Sequence, residues 1–357
     1  MNFMSDNVVG VAPAVIDWLA RANTGSETSY GADSWTKRFE EALCELFERD
    51  VAVFLVSTGT AANALSLAAI SPMFGAVLCH EESHINTDEC AAPELFTGGA
   101  KLVPIRGRDV GKIDVASLDY VIGNMGRAPH AARPSAVSIT QATEYGTVYS
   151  VDEIASICRW AQGKGLRVHM DGARFANALV RLGASAAEMT WKAGVDILSF
   201  GFTKNGAMGL EAVVMFDRAL AEDFPYLRKR TGHLWSKGRF LGAQGLAMLE
   251  DGIWLRNAEH ANRMAARLLE RLAACPGVRF PIPVEANALF PIVPVALEER
   301  LRNAGARFLR WSAHGVPSDE LPSADETMIR LVTSFQTSEE EVETFVRTAA
   351  ESASVLA

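Results

Sequence analysis

The chain has no C-x-x-C pair, and its five cysteines (Cys44, Cys79, Cys90, Cys158 and Cys275) are an odd number spread over 357 residues. That pattern speaks against a disulfide-stapled secreted fold and predicts reduced thiols in a cytoplasmic protein. No apolar run approaches the ~20 residues needed to span a bilayer. The opening MNFMSDNVVG has no basic stretch followed by an apolar one, so no secretory leader is expected. Positive charge is in deficit, 34 Lys and Arg against 43 Asp and Glu, a net −9 that disfavours nucleic acid or an anionic membrane as partner. Two phosphate signatures are missing as well. No G-x-G-x-x-G follows a strand-like run, which disfavours a nicotinamide dehydrogenase. GRDVGKI at 107–113 is one residue short of a Walker loop and lacks the Ser or Thr after its lysine. An anionic ligand would have to be held by local arginines and backbone amides.

What is present is an ordinary globular balance, 49% hydrophobic, 22% charged and 8% aromatic, in a chain long enough for two lobes. VAVFLV (51–56), AVLC (76–79), KLVPI (101–105), SAVSIT (135–140), LRVHMD (166–171), DILSF (196–200) and AVVMF (212–216) read as buried strands. Between two of them, SVDEIASICRWAQGKG opens with a capping box, Ser150 and Glu153, and places Ile154, Ile157, Cys158 and Ala161 on one helical face. Strand–helix alternation of this length predicts an α/β fold with a mostly parallel sheet covered on both faces. Residues 233–274 read as one long helical connector broken only by glycines. Beyond Pro276, short strands (ALFPIV, MIRLVTSF) and amphipathic helices at 296–304 and 338–350 predict a smaller α/β lobe. The expected organisation is an N-terminal arm (1–25), a large domain (26–250) and a small C-terminal domain (251–357). In open sheets of this kind ligands gather outside the carboxyl ends of the strands.

Three stretches at such ends carry chemistry. STGTAANALSLAAI follows VAVFLV directly, so Ser57, Thr58, Gly59 and Thr60 open a small-residue helix whose free amides form a phosphate cradle, or else an ordinary Ser/Thr cap. In LRVHMDGARFANA, period-2 alternation turns His169 and Asp171 to one side, with Asp171 at the strand end and Arg174 just beyond. Lys204 lies in SFGFTKNG, between two runs that must both be buried, where an unpaired ammonium is costly. A lysine and a carboxylate at neighbouring strand ends, beside a phosphate cradle, are what pyridoxal 5'-phosphate (PLP) needs: an amine for its aldehyde and an acid to keep its ring nitrogen protonated. His80-Glu81-Glu82-Ser83-His84 matches the zinc motif H-E-x-x-H, but AVLC reads as a strand running into His80 where that motif needs a helix. No metal is therefore expected.

STGTAAN, ESHINTDECAAPE, ITQATEYGTVY, HMDGARFANA, SFGFTKNG and MIRLVT, in this order, resemble the L-threonine aldolases of PLP fold type I, the aspartate aminotransferase superfamily, over nearly the whole chain. The resemblance implies a large domain with a mostly parallel seven-stranded sheet, a small C-terminal domain, and a homodimer or homotetramer with active sites shared between subunits. It implies that Lys204 carries the cofactor aldehyde, that Asp171 pairs with the pyridine nitrogen and that His84 stacks on the ring. Gly59 and Thr60 would bind the phosphate, helped by a neighbouring subunit's Arg239 or Lys237. Ser5, Arg174 and Arg330 would hold the substrate carboxylate, with Tyr30 and Glu89 close by. Two positions depart from the family pattern. Met4 stands where many members have an arginine, and Glu144 stands where many have a histidine that acts on the substrate hydroxyl. The base is thus Glu144, His84 or a water between them, and Tyr145 would lie beside the side-chain pocket.

The implied reaction is retro-aldol Cα–Cβ scission of L-threonine, L-allo-threonine or a phenylserine-like amino acid to glycine and an aldehyde. A β-eliminating lyase or aminotransferase on the same fold is the alternative, and a zinc hydrolase through His80 and His84 a more distant one.

Overall fold

In the computed structural model, which describes residues 1–351, seven strands form one sheet. They are β1 (Ala52–Val56), β2 (Gly75–His80), β3 (Lys101–Ile105), β4 (Arg133–Thr140), β5 (Arg167–Gly172), β6 (Ile197–Gly201) and β7 (Glu211–Met215), in the order β1-β7-β6-β5-β4-β2-β3. The four contacts from β6 through β5, β4 and β2 to β3 are parallel. β7 alone runs against its neighbours β1 and β6. Strands buried on both faces must be apolar throughout, and β2, β6 and β7 are buried at every position. The seven runs read from sequence fall on these strands to within two residues.

The helices that cover the sheet form for local reasons. Val151–Gly163 starts with both bonds of its capping box: Glu153 N donates to Ser150 Oγ at 3.2 Å, and Ser150 N donates to Glu153 Oε2 at 2.6 Å. Gly59–Ile70 is built of small residues and is buried nearly all round, as a helix set in the middle of a sheet face must be. The expected connector over 233–274 is not one helix. It comprises Arg239–Leu249 and Ile253–Leu272, separated where Asp251 (φ 51°) and Gly252 (φ 68°) take left-handed backbone that no helix can continue through. Residues 233–238 form no helix.

Ile253–Leu272 gives Trp254 and Ala258 to the core of the large sheet and Met264, Ala265, Leu268 and Leu272 to a second core. That second core lies on a small antiparallel sheet of β8 (Ala288–Leu289), β9 (Ile292–Pro294), β10 (Leu309–Arg310) and β11 (Glu326–Val332), with the helices Val295–Asn303 and Glu339–Ala350. Phe3 belongs to it as well: its amide donates to Arg307 O at 2.8 Å and its carbonyl accepts from Val332 N at 2.9 Å. The N-terminal residues thus run from the small lobe to the strand ends of the large one. Residues 352–357 of the expected C-terminal domain lie outside the described residues.

Candidate active site

The six strands that share a direction end on one side of the sheet, and the turns leaving them assemble the site. The turn after β1 opens the helix Gly59–Ile70, capped by Thr58, whose hydroxyl accepts Ala61 N at 3.1 Å. The first amides of a helix have no partner in its own ladder, and Gly59 and Thr60 both line a cavity of about 410 Å³. A Cβ at Gly59 would meet no atom of the described residues within 4 Å outside its own helical turn, so this end is open to a ligand, and an anion suits it. His233 approaches the same turn, its Nδ1 3.2 Å from Ser57 Oγ.

Lys204 lines the same cavity from the turn Thr203–Asn205 after β6. Its neighbours hold it in place: Asn205 Nδ2 donates to Trp254 O at 2.7 Å, and Leu210 N donates to Thr203 Oγ1 at 3.1 Å. Beside it, near the end of β5, is Asp171, 3% exposed. Asp171 Oδ1 accepts Ala173 N at 2.9 Å, and Oδ2 accepts Asn63 Nδ2 at 2.8 Å. The same Asn63 amide donates to Glu89 Oε1 at 2.8 Å, which also accepts His84 Nδ1 at 2.8 Å. One chain of hydrogen bonds therefore runs from His84 through Glu89 and Asn63 to Asp171. The hydrogen bond to Glu89 raises His84. Burial raises Glu89, against the bonds it receives from His84 and Asn63. Three residues beyond Asn63, Ser66 Oγ lies 3.4 Å from Ser199 Oγ, and Ser199 with Ser138 brackets His169 at 2.9 Å on both ring nitrogens. Burial pushes His169 down to about 4, so it is a neutral support behind Asp171.

At the small-lobe end, Arg174 is buried with its fork on Asp6: Nε to Oδ2 at 2.8 Å and one Nη to Oδ1 at 3.1 Å. Asn287 Nδ2 also donates to Asp6 Oδ2 at 3.1 Å, and Ser5 caps the turn that carries Asp6. Much of Arg174 is therefore committed within the chain. Arg330 is different. Its Nε is buried without a hydrogen-bond partner among the described residues, and its guanidinium carbon sits 4.7 Å from the centre of the Trp311 ring. Burial and the charge of Arg174 pull Arg330 down to about 10, with Asp6, Glu144 and Asp88 opposing. A buried cation short of a partner beside another cation is a seat for a carboxylate. The charge of Glu144 acts on His84, Arg174 and Arg330 alike, which puts it among the three.

Of the expected residues Gly59, Thr60, His84 and Lys204 line the cavity itself, whereas Arg239 and Tyr30 are engaged elsewhere in their own chain. Arg239 donates to the carbonyls of Ala22, Thr24 and Gly25 at 3.1–3.2 Å, so its guanidinium is engaged at the end of the helix Pro13–Ala22. Tyr30 is 50% exposed on a surface loop, under the Lys229 ammonium. Tyr145 is fully buried in the small-lobe cluster, its ring centre 5.3 Å from that of Phe290. The two histidines of H-E-x-x-H are split. His80 ends β2, with Nδ1 accepting the Glu82 amide at 3.1 Å, while His84 opens the separate helix His84–Thr87. The zinc-hydrolase alternative lacks the single helix it requires.

Sequence reading missed Asp6, Asn63, His233 and Glu211, all of which touch the site. Asn63 and Glu211 carried a signal, since Asn63 is the one amide side chain in a helix of small and apolar residues and Glu211 the one acid of a fully buried strand.

The β-eliminating lyase family matches residues 2–295 of this chain. The low specificity L-threonine aldolase of Pseudomonas aeruginosa is 47% identical over 314 residues, covering 88% of this chain and 90% of that protein. Among solved structures, the threonine aldolase of Leishmania major superposes with a TM-score of 0.90 at 31% identity, over 100% of this chain and 99% of that one. An aspartate aminotransferase from Rhodobacter sphaeroides, 19% identical over 99% of this chain and 93% of its own, superposes at 0.69 and shares the fold. With a fold type I sheet and this similarity along most of its length, the chain belongs to the β-eliminating lyase family, among relatives named L-threonine aldolases.

Proposed function

We propose that this protein is a PLP-dependent aldolase that cleaves L-threonine, L-allo-threonine or a related β-hydroxy-α-amino acid, such as phenylserine, to glycine and an aldehyde. The observation that carries the reading is the placement of Lys204 and Asp171 at adjoining strand ends beside an open helix N-terminus. The residues fit the group: the open end at Gly59 suits a phosphate, and the cavity of about 410 Å³ has His84, Ala173 and Lys204 among its walls. Bound PLP supplies an electron-withdrawing ring that accepts the pair released when Cα–Cβ breaks.

The chain's residues do the rest. Gly59 and Thr60 would hold the phosphate through their amides, and Lys204 would tether the aldehyde carbon. Asp171, fixed by Asn63 and Ala173, would hold the ring nitrogen in its protonated form. His84 would lie on the ring face, its orientation set by Glu89. Arg330, aided by Ser5 and the remaining donors of Arg174, would bind the substrate carboxylate. By fixing the carboxylate, Arg330 would set which bond at Cα stands perpendicular to the ring, and so which bond breaks. The pair of Glu144 and His84 would take the β-hydroxyl proton. Arg239, Lys237 and Tyr30 would act on a neighbouring subunit's site in a homodimer or homotetramer. The division into an arm (1–25), a large domain (26–250) and a small domain (251–357) accompanies this reading. The described residues contain no helix long and apolar enough to cross a membrane, and the five free cysteines support a cytoplasmic location.

The test is direct. Purified protein supplied with PLP should absorb near ~420 nm, and Lys204→Ala should lose borohydride-fixable cofactor. Side-by-side assays should detect acetaldehyde from threonine and benzaldehyde from phenylserine, each with glycine. Protein that binds no PLP, or that yields a keto acid in place of glycine, overturns the reading.

A further inference from the structure

Glu211 is a carboxylate in a place where carboxylates are costly. It is the first residue of β7, the one reversed strand, so its end of β7 lies where β1 and β6 finish. The register pairs Glu211 with Val56, which leads into the Ser57–Thr60 turn, and with Gly201, three residues before Lys204. The residue is 8% exposed, yet it lines the same cavity as Lys204. Its Oε2 accepts the Phe202 amide at 3.0 Å, which fixes the carboxyl to the segment that carries the lysine. Further hydrogen bonds tie that segment to its surroundings. Gln244 Oε1 accepts Met208 N and Gly209 N at 3.0 and 3.1 Å, and Asn257 Nδ2 donates to Asn205 O at 2.8 Å.

The charged groups facing Glu211 are Lys204 from the turn and Asp171 from β5, with Asp6 and His84 on the walls of the cavity. Burial pushes the carboxyl up to about 7. Polar contacts from Thr203 and the Phe202 amide and the charge of Lys204 pull against that rise, and Asp171 adds to it. A buried acid that holds or yields a proton near neutrality, beside an amine that must alternate between charged and neutral, has a use.

We propose that Glu211 is the proton store of Lys204, acting through that amine on its union with the cofactor. In one direction an N–H bond of the Lys204 ammonium breaks with its electron pair left on Nζ, the proton passes along water in the cavity that both side chains line, and an O–H bond forms on Glu211. Ammonium and carboxylate become amine and acid, so the charge of the cavity does not change. In the other direction the acid returns the proton to Nζ. The store spares the amine an exchange with bulk water each time it is released. This inference rests on the PLP reading of the site.

The experiment follows the rate at which cofactor-free full-length protein regains absorbance near ~420 nm after PLP is added, from about pH 5 to about pH 9. Glu211→Gln keeps an acceptor for the Phe202 amide but holds no proton, and Glu211→Asp keeps the acid at a shorter reach. The wild-type rate should bend near pH 7, where this carboxyl titrates. Glu211→Gln should lose the bend and slow by about 10²-fold at neutral pH, and Glu211→Asp should keep a displaced bend. If Glu211→Gln takes up PLP at the wild-type rate with the wild-type profile, Glu211 is only an acceptor for an amide and the inference falls. If Glu211→Gln does not fold, the Glu211→Asp profile decides: a displaced bend supports the store and an unchanged one overturns it. Wild-type protein that takes up no PLP overturns the functional reading together with this one.

Discussion

A valine at position 59 would put its branches into the open end of the cavity, because a Cβ there meets no atom of the described residues within 4 Å outside its own turn. Gly59→Val should therefore melt close to wild type while its affinity for PLP falls by about tenfold or more, as fluorescence titration would measure. Arg330 makes a different prediction. Its orphaned Nε and its position beside Arg174 suit a planar fork that grips both carboxylate oxygens. Arg330→Lys keeps the charge and loses the fork, so KM for the amino acid should rise by about tenfold or more, with PLP absorbance unchanged. Steady-state kinetics beside an absorbance spectrum check both halves of that statement. At this scale the sequence is legible in position where a residue lies within a few places of a strand end, and Lys204, Asp171, His84 and Gly59 each lie there as read. It is not legible where a side chain gains its role from a distant partner. Asn63 is 108 residues from Asp171, and Asp6 is 168 from Arg174. The engagement of Arg174 by Asp6 could not be read from the spacing of either motif.

Among the elements, the end of β6 lies close against the turn that follows β5, and a missing side chain permits it. A Cβ on Gly201 would lie 2.7 Å from both the Cα and the carbonyl oxygen of Ala173, backbone atoms that cannot give way. This contact sets the spacing between the turn that carries Lys204 and the strand that carries Asp171. Gly201→Val should lower stability by about 1–3 kcal/mol, the ordinary cost of overpacking, and lower PLP occupancy as well. Urea midpoints and bound cofactor per chain, measured on the same preparation, test the coupling; a loss of stability with full occupancy would refute it. The strands themselves were readable because doubly buried strands appear as unbroken apolar runs. Their order was not, since no local pattern says that β7 inserts between β1 and β6. The helix break at Asp251–Gly252 escaped a periodicity argument because the chain is helical on both sides of it, one helix buried nearly all round and the other on one face. Only backbone dihedrals, which a Gly in sequence hints at without fixing, reveal it.

For the molecule as a whole, buried titratable groups set how stability follows pH, and here they oppose one another. His80 and His169 are both pushed by burial from 6.5 to about 4, so the folded chain keeps them neutral while the unfolded chain protonates them. Their contribution is complete above pH 6.5 and is lost as pH falls towards about 4. Glu211 works in the other direction. Its carboxyl goes from 4.5 to about 7 on folding, so its contribution is complete below pH 4.5 and is lost as pH rises through about 7. Near pH ~5.5 the unfolded chain binds about two protons more at the histidines and the folded chain about one more at Glu211, each proton worth about 1.4 kcal/mol per pH unit. Removing one group should change the slope by that amount. His169→Gln should flatten the dependence of unfolding free energy on pH, and Glu211→Gln should steepen it. Urea titrations at closely spaced pH values around ~5.5 read the slopes directly. If the two substitutions shift the slope in the same direction, at least one of these side chains does not hold the charge state that its burial dictates.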